Sequence, residues 1–568
     1  MIEPCFFLSN ERGSYFCSSK NDFSSYQGWF LFFEDNWDLF KVIDKVHGDF
    51  NFSLGDNSLF LWSDFEQDVI IDLDFRFVHD FDDTGRIYDV YEKDGFVIVK
   101  YTKFSDSSLS DASFSKFLAI KGLGSVSFLK SWIHKFYSYD SSRGALSDLY
   151  VFRLLRCRAQ NISFGFGSSE EDAIVSACVV PSSKKVFNVS FDEGVQKKLV
   201  NEYKDALFSA DLAFSSCVKF NNLNEPLIFA GYPWFFQVWA RDECISLVGL
   251  LNQGKFDLAK KIILRNLKSV RDGVLPNRFP ESVLGSADST GWLFQRIFLF
   301  LKMSKDVVFS SSDLSFVEEK LDSFLMYCKS HSHKGLVFNG PKETWMDTVD
   351  SNSVDTRSGA RVEIQALYLS ALSLKIHLRN LAGDSSSVSK FRHILAKKKT
   401  LIKKQLMKQS ILHDGLCDGV LDTARRPNVF LAYYAYPSFL TKSEWTQTFD
   451  YVLGDCWLDW GGLSSIGKSH YLFRDSYSGM SNESYHRGDS WFFVNNIAGI
   501  VLFDLDSKKY LAKIKKIRSA SIHDILYSGF IGYSSEISSA RVLESCGCLN
   551  QAWSSATLLE FLFKTKKL

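Results

Sequence analysis

The apolar residues of this chain change their period part-way along it, near Gly194. Before that point apolar and polar residues alternate, as in Asp68–Phe77, which is the period of a half-buried strand. After it the spacing becomes that of an amphipathic helix, first in Val195–Ser216. We therefore expect a multidomain α+β protein, with a strand-rich domain at residues 1–193 and a helical domain at residues 194–568.

The strand-rich part contains several short β runs separated by turn residues. Ile87–Tyr91 and Phe96–Tyr101 flank Lys93–Gly95, which is typical of a β-hairpin turn. Leu149–Arg156 and Val186–Phe191 are also rich in residues that favour strands. Many short strands with frequent turns predict an antiparallel β-sandwich. No group of residues in this part has the composition of a catalytic site.

Helical spacing recurs through the second part of the chain, and predicts roughly a dozen helices. The segments that show it are 195–216, 240–252, 258–270, 288–303, 313–330, 361–380, 385–409, 441–454, 485–503, 508–519 and 549–564. No sequence repeat of fixed period is visible, which argues against a solenoid. An irregular bundle and a closed ring of paired helices both remain open, because periodicity does not distinguish them.

Composition and charge limit the classes of ligand. The chain is 46% apolar and 23% charged, a balance that excludes an intrinsically disordered protein. Lys plus Arg and Asp plus Glu both total 66, so the net charge is zero. A neutral chain has no overall field to attract nucleic acid or an anionic membrane, and we expect neither as a partner. Aromatic residues reach 15%, which suits binding of sugar rings or bases as well as a Phe-packed core.

The sequence predicts a cytoplasmic protein without a metal site. Met1–Cys5 carries an acid and a proline where a signal peptide needs basic charge. The longest apolar run, Trp491–Phe503, is too short to span a bilayer. Eleven scattered cysteines are typical of free thiols in a reducing compartment. Cys546–Cys548 and His331–His333 are closely spaced pairs, but neither has a matching second pair, so we expect no metal.

Conspicuous residues of the helical part gather in five loop clusters that combine aromatic, carboxylate and small residues. They are Gly231–Asp242, Leu275–Trp292, Glu343–Leu367, Ser484–Trp491 and Gly532–Ser554. Loops between regular elements commonly carry binding and catalytic residues. The clusters are therefore the candidates for a functional site.

Two of these clusters contain residues that suit binding of sugar hydroxyls. Arg241 and Asp242, beside Trp239, can hold hydroxyls in bidentate fashion while the indole packs on a ring. The alternative is that Asp242 caps a helix and pairs with Arg241. Asp288 precedes a helical stretch, so it is either a helix cap or an acceptor for a hydroxyl.

Two carboxylates lie in contrasting surroundings. Asp347 follows Trp345 and Met346, and is either in an apolar pocket that favours the neutral form of a general acid or a loop carboxylate exposed to water. Glu536 is flanked by small polar residues that favour a charged carboxylate. His486 is either a base or a hydrogen-bonded structural residue. A carboxyl pair with different surroundings, accompanied by Trp-rich loops, matches the needs of glycosidic bond cleavage.

The order of these motifs resembles the glucosidase domain of glycogen debranching enzymes, of the archaeal and bacterial type that lacks the glucanotransferase barrel. The resemblance covers about residues 225 to 560. The segments that carry it are Tyr232–Phe235, Trp239–Asp242, Gly273–Phe279, Ala287–Trp292, Thr344–Asp347, Val362–Leu367, Tyr485–Gly488, Ser535–Ile537 and Gln551–Ser554.

The resemblance implies an (α/α)6 toroid with its active site at one end of the ring. In the chain, an N-terminal β-sandwich precedes this toroid. It implies amylo-α-1,6-glucosidase activity on a branched α-glucan, either glycogen or a limit dextrin, without any cofactor. Asp347 would be the general acid and Glu536 the general base of an inverting reaction. The residues implied to bind substrate are Trp234, Trp239, Arg241, Asp242, Asp288, Trp345, Glu363, Tyr485, His486, Gln551 and Trp553.

Four positions depart from the family pattern. Similar proteins usually have Gly where Ala240 stands, Asn where Gln365 stands, Gln where Arg487 stands and an aliphatic residue where Ser534 stands. None of the departures removes a proposed carboxylate. The alternatives to the debranching activity are another glycosidase on the same toroid (glucoamylase-, trehalase- or mannosidase-like), a phosphorolytic enzyme and a non-catalytic glucan-binding protein.

Overall fold

The computed structural model describes residues 5–34, 37–104, 114–179, 202–279, 285–349 and 355–568. The chain divides into two compact units, Ile2–Val200 and Asn201–Leu568. The boundary expected between residues 193 and 194 lies outside the described residues, as does the predicted strand Val186–Phe191. Each unit is described by itself.

The first unit is an antiparallel β-sandwich, as predicted. Its strands are β1 (Cys5–Ser9), β2 (Tyr15–Ser19), β3 (Gly28–Phe33), β4 (Asp38–His47), β5 (Asn51–Leu54), β6 (Ser58–Phe77), β7 (Arg86–Lys93), β8 (Phe96–Lys103), β9 (Phe114–Lys121), β10 (Ser127–Phe136) and β11 (Asp148–Gly167). The order is β1-β2-β3-β4-β6-β11-β9-β8-β7, with β5 paired to β6 and β10 to β11. The long strands β6 and β11 pair with each other in the middle of this order, and so join β1–β4 to β7–β9.

The predicted hairpin is confirmed by the pairing of β7 with β8, in which Lys93 lies opposite Phe96. Asp94 and Gly95 both have positive φ, as a two-residue turn of this kind requires. Two helices of this unit, α1 (Ser138–Ser142) and α2 (Glu170–Cys178), were not predicted. Both are too short to show a helical period among strands.

Alternate residues of β6 face two different buried environments. Ile71, Leu73 and Phe75 are fully buried in the apolar core. Asp74, on the opposite face, is buried among cations. Arg76 Nε and Arg86 Nη2 lie 2.9 Å and 2.8 Å from its two carboxylate oxygens, and Lys41 Nζ lies 3.1 Å away. Burial alone would raise the pKa of Asp74, but these three charges hold it well below its usual range.

We expect Asp74→Asn to destabilise the β-sandwich unit, because it leaves three buried cations without their shared carboxylate. Breaking a buried ion pair from one side typically costs about 3–5 kcal/mol. Urea-unfolding curves followed by far-UV circular dichroism measure the loss. The control is Asp64→Asn, at an exposed position of the same strand. Equal unfolding midpoints for the two variants would contradict the role assigned to Asp74.

The second unit is built from twelve helices in its described residues. They are α3 (Glu202–Cys217), α4 (Ala240–Asn252), α5 (Phe256–Ser269), α6 (Ser289–Met303), α7 (Ser311–Ser330), α8 (Val362–Leu381), α9 (Ser385–Leu406), α10 (Asn428–Ala435), α11 (Lys442–Cys456), α12 (Phe492–Asp506), α13 (Leu511–Tyr527) and α14 (Ala552–Lys564). None of these described helices is both long enough and apolar enough to cross a bilayer.

Six of these helices form a closed inner ring. Each of α4, α6, α8, α10, α12 and α14 packs against the next, and α14 returns to α4. The other six helices, α3, α5, α7, α9, α11 and α13, pack against the outside of this ring. The structure therefore decides between the bundle and the ring in favour of an (α/α)6 toroid.

The two layers of the ring differ in how their helices are buried. Every residue of α4 from Ala240 to Leu251 is buried, and so is every residue of α12 from Phe492 to Leu502. The outer helix α5 buries only one face. A helix buried all round needs no polar stripe, whereas an outer helix does.

Two inner helices differ from the sequence-based expectation. Helix α10 was not predicted, because the seven residues after Asn428 are all apolar or aromatic and show no period. The segment predicted as a helix over 485–503 begins only at Phe492. Residues 485–489 form a loop, and Ser490–Trp491 pairs as a short strand with Ile537–Ser538.

The starts of the six inner helices lie together at one end of the ring, which we call the mouth. The residues at the N-cap positions of these helices are Trp239, Asp288, Arg361, Pro427, Trp491 and Gln551. Short strand pairs join the loops there: Gly231–Tyr232 with Asn550–Gln551, Val238–Trp239 with Arg278–Phe279, Ala360–Arg361 with Gly415–Cys417, and Ser490–Trp491 with Ile537–Ser538. The five loop clusters of the sequence therefore converge on the mouth.

Candidate active site

Arg241 connects two carboxylates at the mouth. Its Nε lies 2.7 Å and 2.8 Å from the two carboxylate oxygens of Asp288, and its Nη1 lies 3.4 Å from Asp347 Oδ2. Arg241 therefore pairs with Asp288, not with its neighbour Asp242 as one interpretation of the sequence held. Asp288 occupies the cap position of α6, but its side chain makes no capping hydrogen bond. It is fully buried and orients Arg241.

Asp242 is buried at the start of α4, where Gln551 Nε2 donates a hydrogen bond of 3.1 Å to its Oδ1. Burial, opposed by the charge of Arg241 and assisted by those of Glu536 and Asp347, raises the pKa of Asp242 to about 8. Asp242 is consequently neutral at pH 7 and can donate a hydrogen bond. A neutral carboxylic acid in such a place is suited to a sugar hydroxyl.

Glu536 is only 2% exposed and is held from two sides. Tyr485 donates its hydroxyl to Oε1 at 2.5 Å, and the backbone N–H of Cys548 donates to Oε2 at 3.0 Å. Burial and the Glu536 charge raise the pKa of Tyr485 well above its usual value, so its hydroxyl remains a donor. Two donors of this kind favour the charged form of a carboxyl group.

The loop that carries Glu536 is fixed by Asp524 of α13, a residue that the sequence analysis missed. Asp524 is buried and accepts hydrogen bonds from the backbone N–H of Ser535 at 2.9 Å and from the hydroxyl of Ser545 at 2.6 Å. Burial raises its pKa to about 6. It lies on an ordinary amphipathic helix, so the sequence contains no signal that would have singled it out.

Consecutive residues Tyr485 and His486 reach the two candidate catalytic carboxylates. Tyr485 binds Glu536, and His486 Nε2 lies 3.5 Å from Asp347 Oδ1, without a hydrogen bond between them. The His486 ring stacks on Trp491, with the ring centres 5.0 Å apart. Burial lowers the pKa of His486, so the ring is neutral near pH 7. Two consecutive residues, Tyr485 and His486, thus contact Glu536 and Asp347 respectively.

Asp347 has surroundings that its sequence neighbours did not predict. The side chains of Trp345 and Met346 are buried in the core, whereas that of Asp347 is 33% exposed and faces Arg241 and His486. Adjacent residues of a loop point in different directions, so an apolar sequence neighbourhood did not become an apolar pocket. Of the two surroundings that the sequence leaves open for Asp347, the structure favours a partly exposed loop carboxylate over an apolar pocket.

The tryptophans of the site fall into two groups. Trp345 and Trp553 are buried: Trp345 donates to Asn428 Oδ1 at 2.8 Å, and Trp553 stacks on Phe493 with ring centres 4.1 Å apart. Trp234 and Trp239 are half-buried and retain exposed surface. The half-buried pair is suited to contact a ligand, whereas the buried pair supports the walls of the mouth.

Glu363, at the start of α8, belongs to a buried ion cluster. Arg357 binds both of its carboxylate oxygens, at 2.7 Å and 3.2 Å. The same guanidinium binds Asp414, which also accepts a hydrogen bond from Asn428 at 2.7 Å. The sequence did not single out Arg357, Asp414 or Asn428, because each lies in a loop or at a helix start without a recognisable motif. Within the parts of the chain described here, no group of His, Cys, Asp and Glu side chains is arranged to hold a metal ion.

The ring with its carboxylate-lined mouth defines the class of protein as an (α/α)6 glycoside hydrolase. Residues 211–560 match the amylo-alpha-1,6-glucosidase family, and the chain belongs to this family. No curated protein sequence matches the chain significantly.

Solved structures with a similar fold include a bacterial glucoamylase complexed with acarbose. It is 10% identical, with a TM-score of 0.55, and the match covers 99% of this chain and 92% of that one. The GH63 mannosylglycerate hydrolase from Thermus thermophilus in complex with glucose is 13% identical, with a TM-score of 0.47 over 63% of this chain and 99% of that one. The glucoamylase match extends the similarity of fold over nearly the whole chain.

We expect Asp242→Asn to be more stable than the wild type at high pH. Folded Asp242 keeps its proton up to about pH 8, whereas in the unfolded chain it loses it near pH 3.8. The folded state binds more protons between these values, so the free energy of unfolding falls as the pH rises through this range. The variant lacks this loss, and its advantage should grow by up to about 1.4 kcal/mol per pH unit.

Urea-unfolding midpoints at pH 5 and pH 8 measure this difference. The control is Asp306→Asn, at an exposed position of the same unit. A difference between Asp242→Asn and the wild type that is the same at both pH values would show that Asp242 titrates normally.

Proposed function

We propose that the protein hydrolyses the α-1,6 linkage of single glucose residues at the branch points of a glycogen-like glucan. Asp347 donates a proton to the leaving oxygen, and Glu536 removes a proton from the attacking water. The reaction inverts the anomeric configuration, and room for the water requires the two carboxyl groups to be ~6.5–9.5 Å apart. On the sequence grounds given above, the enzyme acts in the cytoplasm.

One observation carries the proposal: His486 and Tyr485, which are neighbours in the chain, contact Asp347 and Glu536 respectively. Two carboxyl groups that are contacted by the side chains of consecutive residues can flank a single sugar. Their surroundings also differ, because Glu536 is buried whereas Asp347 is partly exposed. Glu536 receives two donors that favour the charged form of a base, and Asp347 remains partly open, as a group that must reach a leaving oxygen should.

The remaining site residues support the binding of one glucose at the mouth. Trp234 and Trp239 supply flat apolar surface, and Asp242 supplies a neutral donor. Arg241 places one edge of its guanidinium near Asp347, where it can bind a hydroxyl. Asp288 and Glu363 support the site indirectly, because their carboxylates bind Arg241 and Arg357.

The test is the release of glucose from phosphorylase-limit dextrin, with the anomer recorded by proton NMR in the first minutes. We expect β-glucose, because an inverting reaction converts an α linkage into a β product. Maltose, trehalose and mannosides form the comparison panel, and inorganic phosphate is added in a parallel reaction. Faster cleavage of maltose would favour a glucoamylase-like enzyme. Release of glucose 1-phosphate would favour phosphorolysis, and binding without any cleavage would favour a glucan-binding protein.

We expect Asp347→Asn and Glu536→Gln each to lower kcat by on the order of 10²–10⁴-fold, the usual size of an acid–base contribution. Both amides keep the shape of the carboxyl, so the affinity for limit dextrin should change little. Calorimetric titration with dextrin and initial-rate kinetics measure the two quantities. Asp306→Asn again serves as the control. Substantial activity in either active-site variant would remove that residue from the mechanism.

A further inference from the structure

Arg487 binds the residue that follows the candidate acid. Its Nη1 donates to the carbonyl oxygen of Thr348 at 3.1 Å, and its Nη2 lies 3.3 Å from the Thr348 hydroxyl. Thr348 is the next residue after Asp347, so a hydrogen bond to its backbone restrains the position of Asp347.

The other donors of Arg487 bind the loop in which it lies. Its Nη2 donates to the carbonyl oxygen of Asn482 at 2.8 Å, and its Nε donates to that of Glu483 at 3.1 Å. The guanidinium is planar and rigid, so donors at its two ends fix both partners relative to each other. Arg487 therefore joins the loop of Thr348 to the loop 482–487.

Loop 482–487 is itself fixed to the candidate base. Tyr485 donates to Glu536, and the backbone oxygen of Tyr485 accepts a hydrogen bond from Trp491 Nε1 at 2.8 Å. Three consecutive residues thus contact the base, the acid and the residue after the acid. Glu536 and Asp347 are connected through this one segment, although they lie 189 positions apart in the chain.

The energetics of Arg487 indicate a positioning role. Its side chain is 1% exposed, and four of the hydrogen-bond contacts described above are to neutral oxygens. The carboxylate of Asp355 lies 4.0 Å from Nη1. Burying a cation mainly against carbonyl groups is a costly way to stabilise a loop. What the buried guanidinium provides is a planar group of fixed shape, which sets the distance between the two loops that it binds.

We propose that Arg487 is a positioning residue that holds Asp347 at a fixed distance from Glu536 by clamping Thr348 to the loop of Tyr485 and His486. The inference rests on the proposed function, because it assigns Asp347 and Glu536 as acid and base. Arg487 contacts neither reacting group, so it acts on the rate through its two contacts with Thr348, one to the carbonyl oxygen and one to the hydroxyl. A displacement of a catalytic group by about 1 Å can cost 10²-fold in rate.

The first test compares Arg487→Gln and Arg487→Lys with the wild type. Both variants lack the fork, so each should lower kcat by about 10- to 100-fold while KM changes little, because the sugar-binding residues are untouched. The control is Arg474→Gln, whose exposed side chain also donates to carbonyl groups of its own loop but does not contact Thr348. Wild-type kcat in Arg487→Gln would overturn the proposal, and so would a loss that appears only in KM.

The second test is a double-mutant cycle with Thr348→Val, which removes the hydroxyl contact and keeps the size of the side chain. If Arg487 acts through Thr348, the valine substitution lowers kcat in the wild type and has little further effect in Arg487→Gln. Effects on log kcat that simply add would show that Arg487 acts elsewhere.

A crystal structure of Arg487→Gln separates this proposal from the proposed function, because it requires no substrate. We expect Asp347 Oδ1 to lie clearly farther from His486 Nε2 than the present 3.5 Å. An unchanged distance would overturn the positioning role whatever the substrate is. If the wild type cleaves maltose and not limit dextrin, the proposed specificity fails, and the kinetic tests of Arg487 proceed on maltose.

Discussion

Closure of the inner ring brings the starts of six helices to one mouth, and each helix start leaves backbone N–H groups without an intrahelical acceptor. The aligned peptide dipoles add partial positive charge at the same place. The first turns of α4 and α8 place Asp242 and Glu363 there, although burial raises the pKa of both carboxyl groups. Closure of the ring therefore brings these two groups to the same end as the loops that carry Asp347 and Glu536.

The buried charges of the mouth are arranged in pairs that join distant segments. Arg241 binds Asp288 across 47 positions of the chain, and Arg357 binds Asp414 across 57. A buried ion pair adds little net stability, but leaving one partner alone is costly. The pairs consequently resist any rearrangement that would separate the loops.

The sequence predicted those features that depend on local patterns. The strand at Asp68–Phe77, the hairpin of β7 and β8 and the outer helices follow from alternation or from helical period, and the structure confirms them. Helix α10 was missed because a short helix that is buried on all sides has no polar face, and the ring could not be distinguished from a bundle without knowing which helices touch. The site shows the same limit: the candidate carboxylates could be named, but the partner of Arg241 and the surroundings of Asp347 are set by residues far away in sequence.

Asp347 and Glu536 lie on loops, Asp347 between α7 and α8 and Glu536 between α13 and α14, and the two loops are held in different ways. The backbone N–H of Glu536 donates to the carbonyl oxygen of Cys548, and the next residues pair with the strand before α12. The contacts described for Asp347 come from side chains, those of Arg241 and His486. Glu536 is thus restrained by its own backbone, whereas restraint of Asp347 depends on contacts between loops, among them the hydrogen bond of Arg487 to the carbonyl oxygen of Thr348.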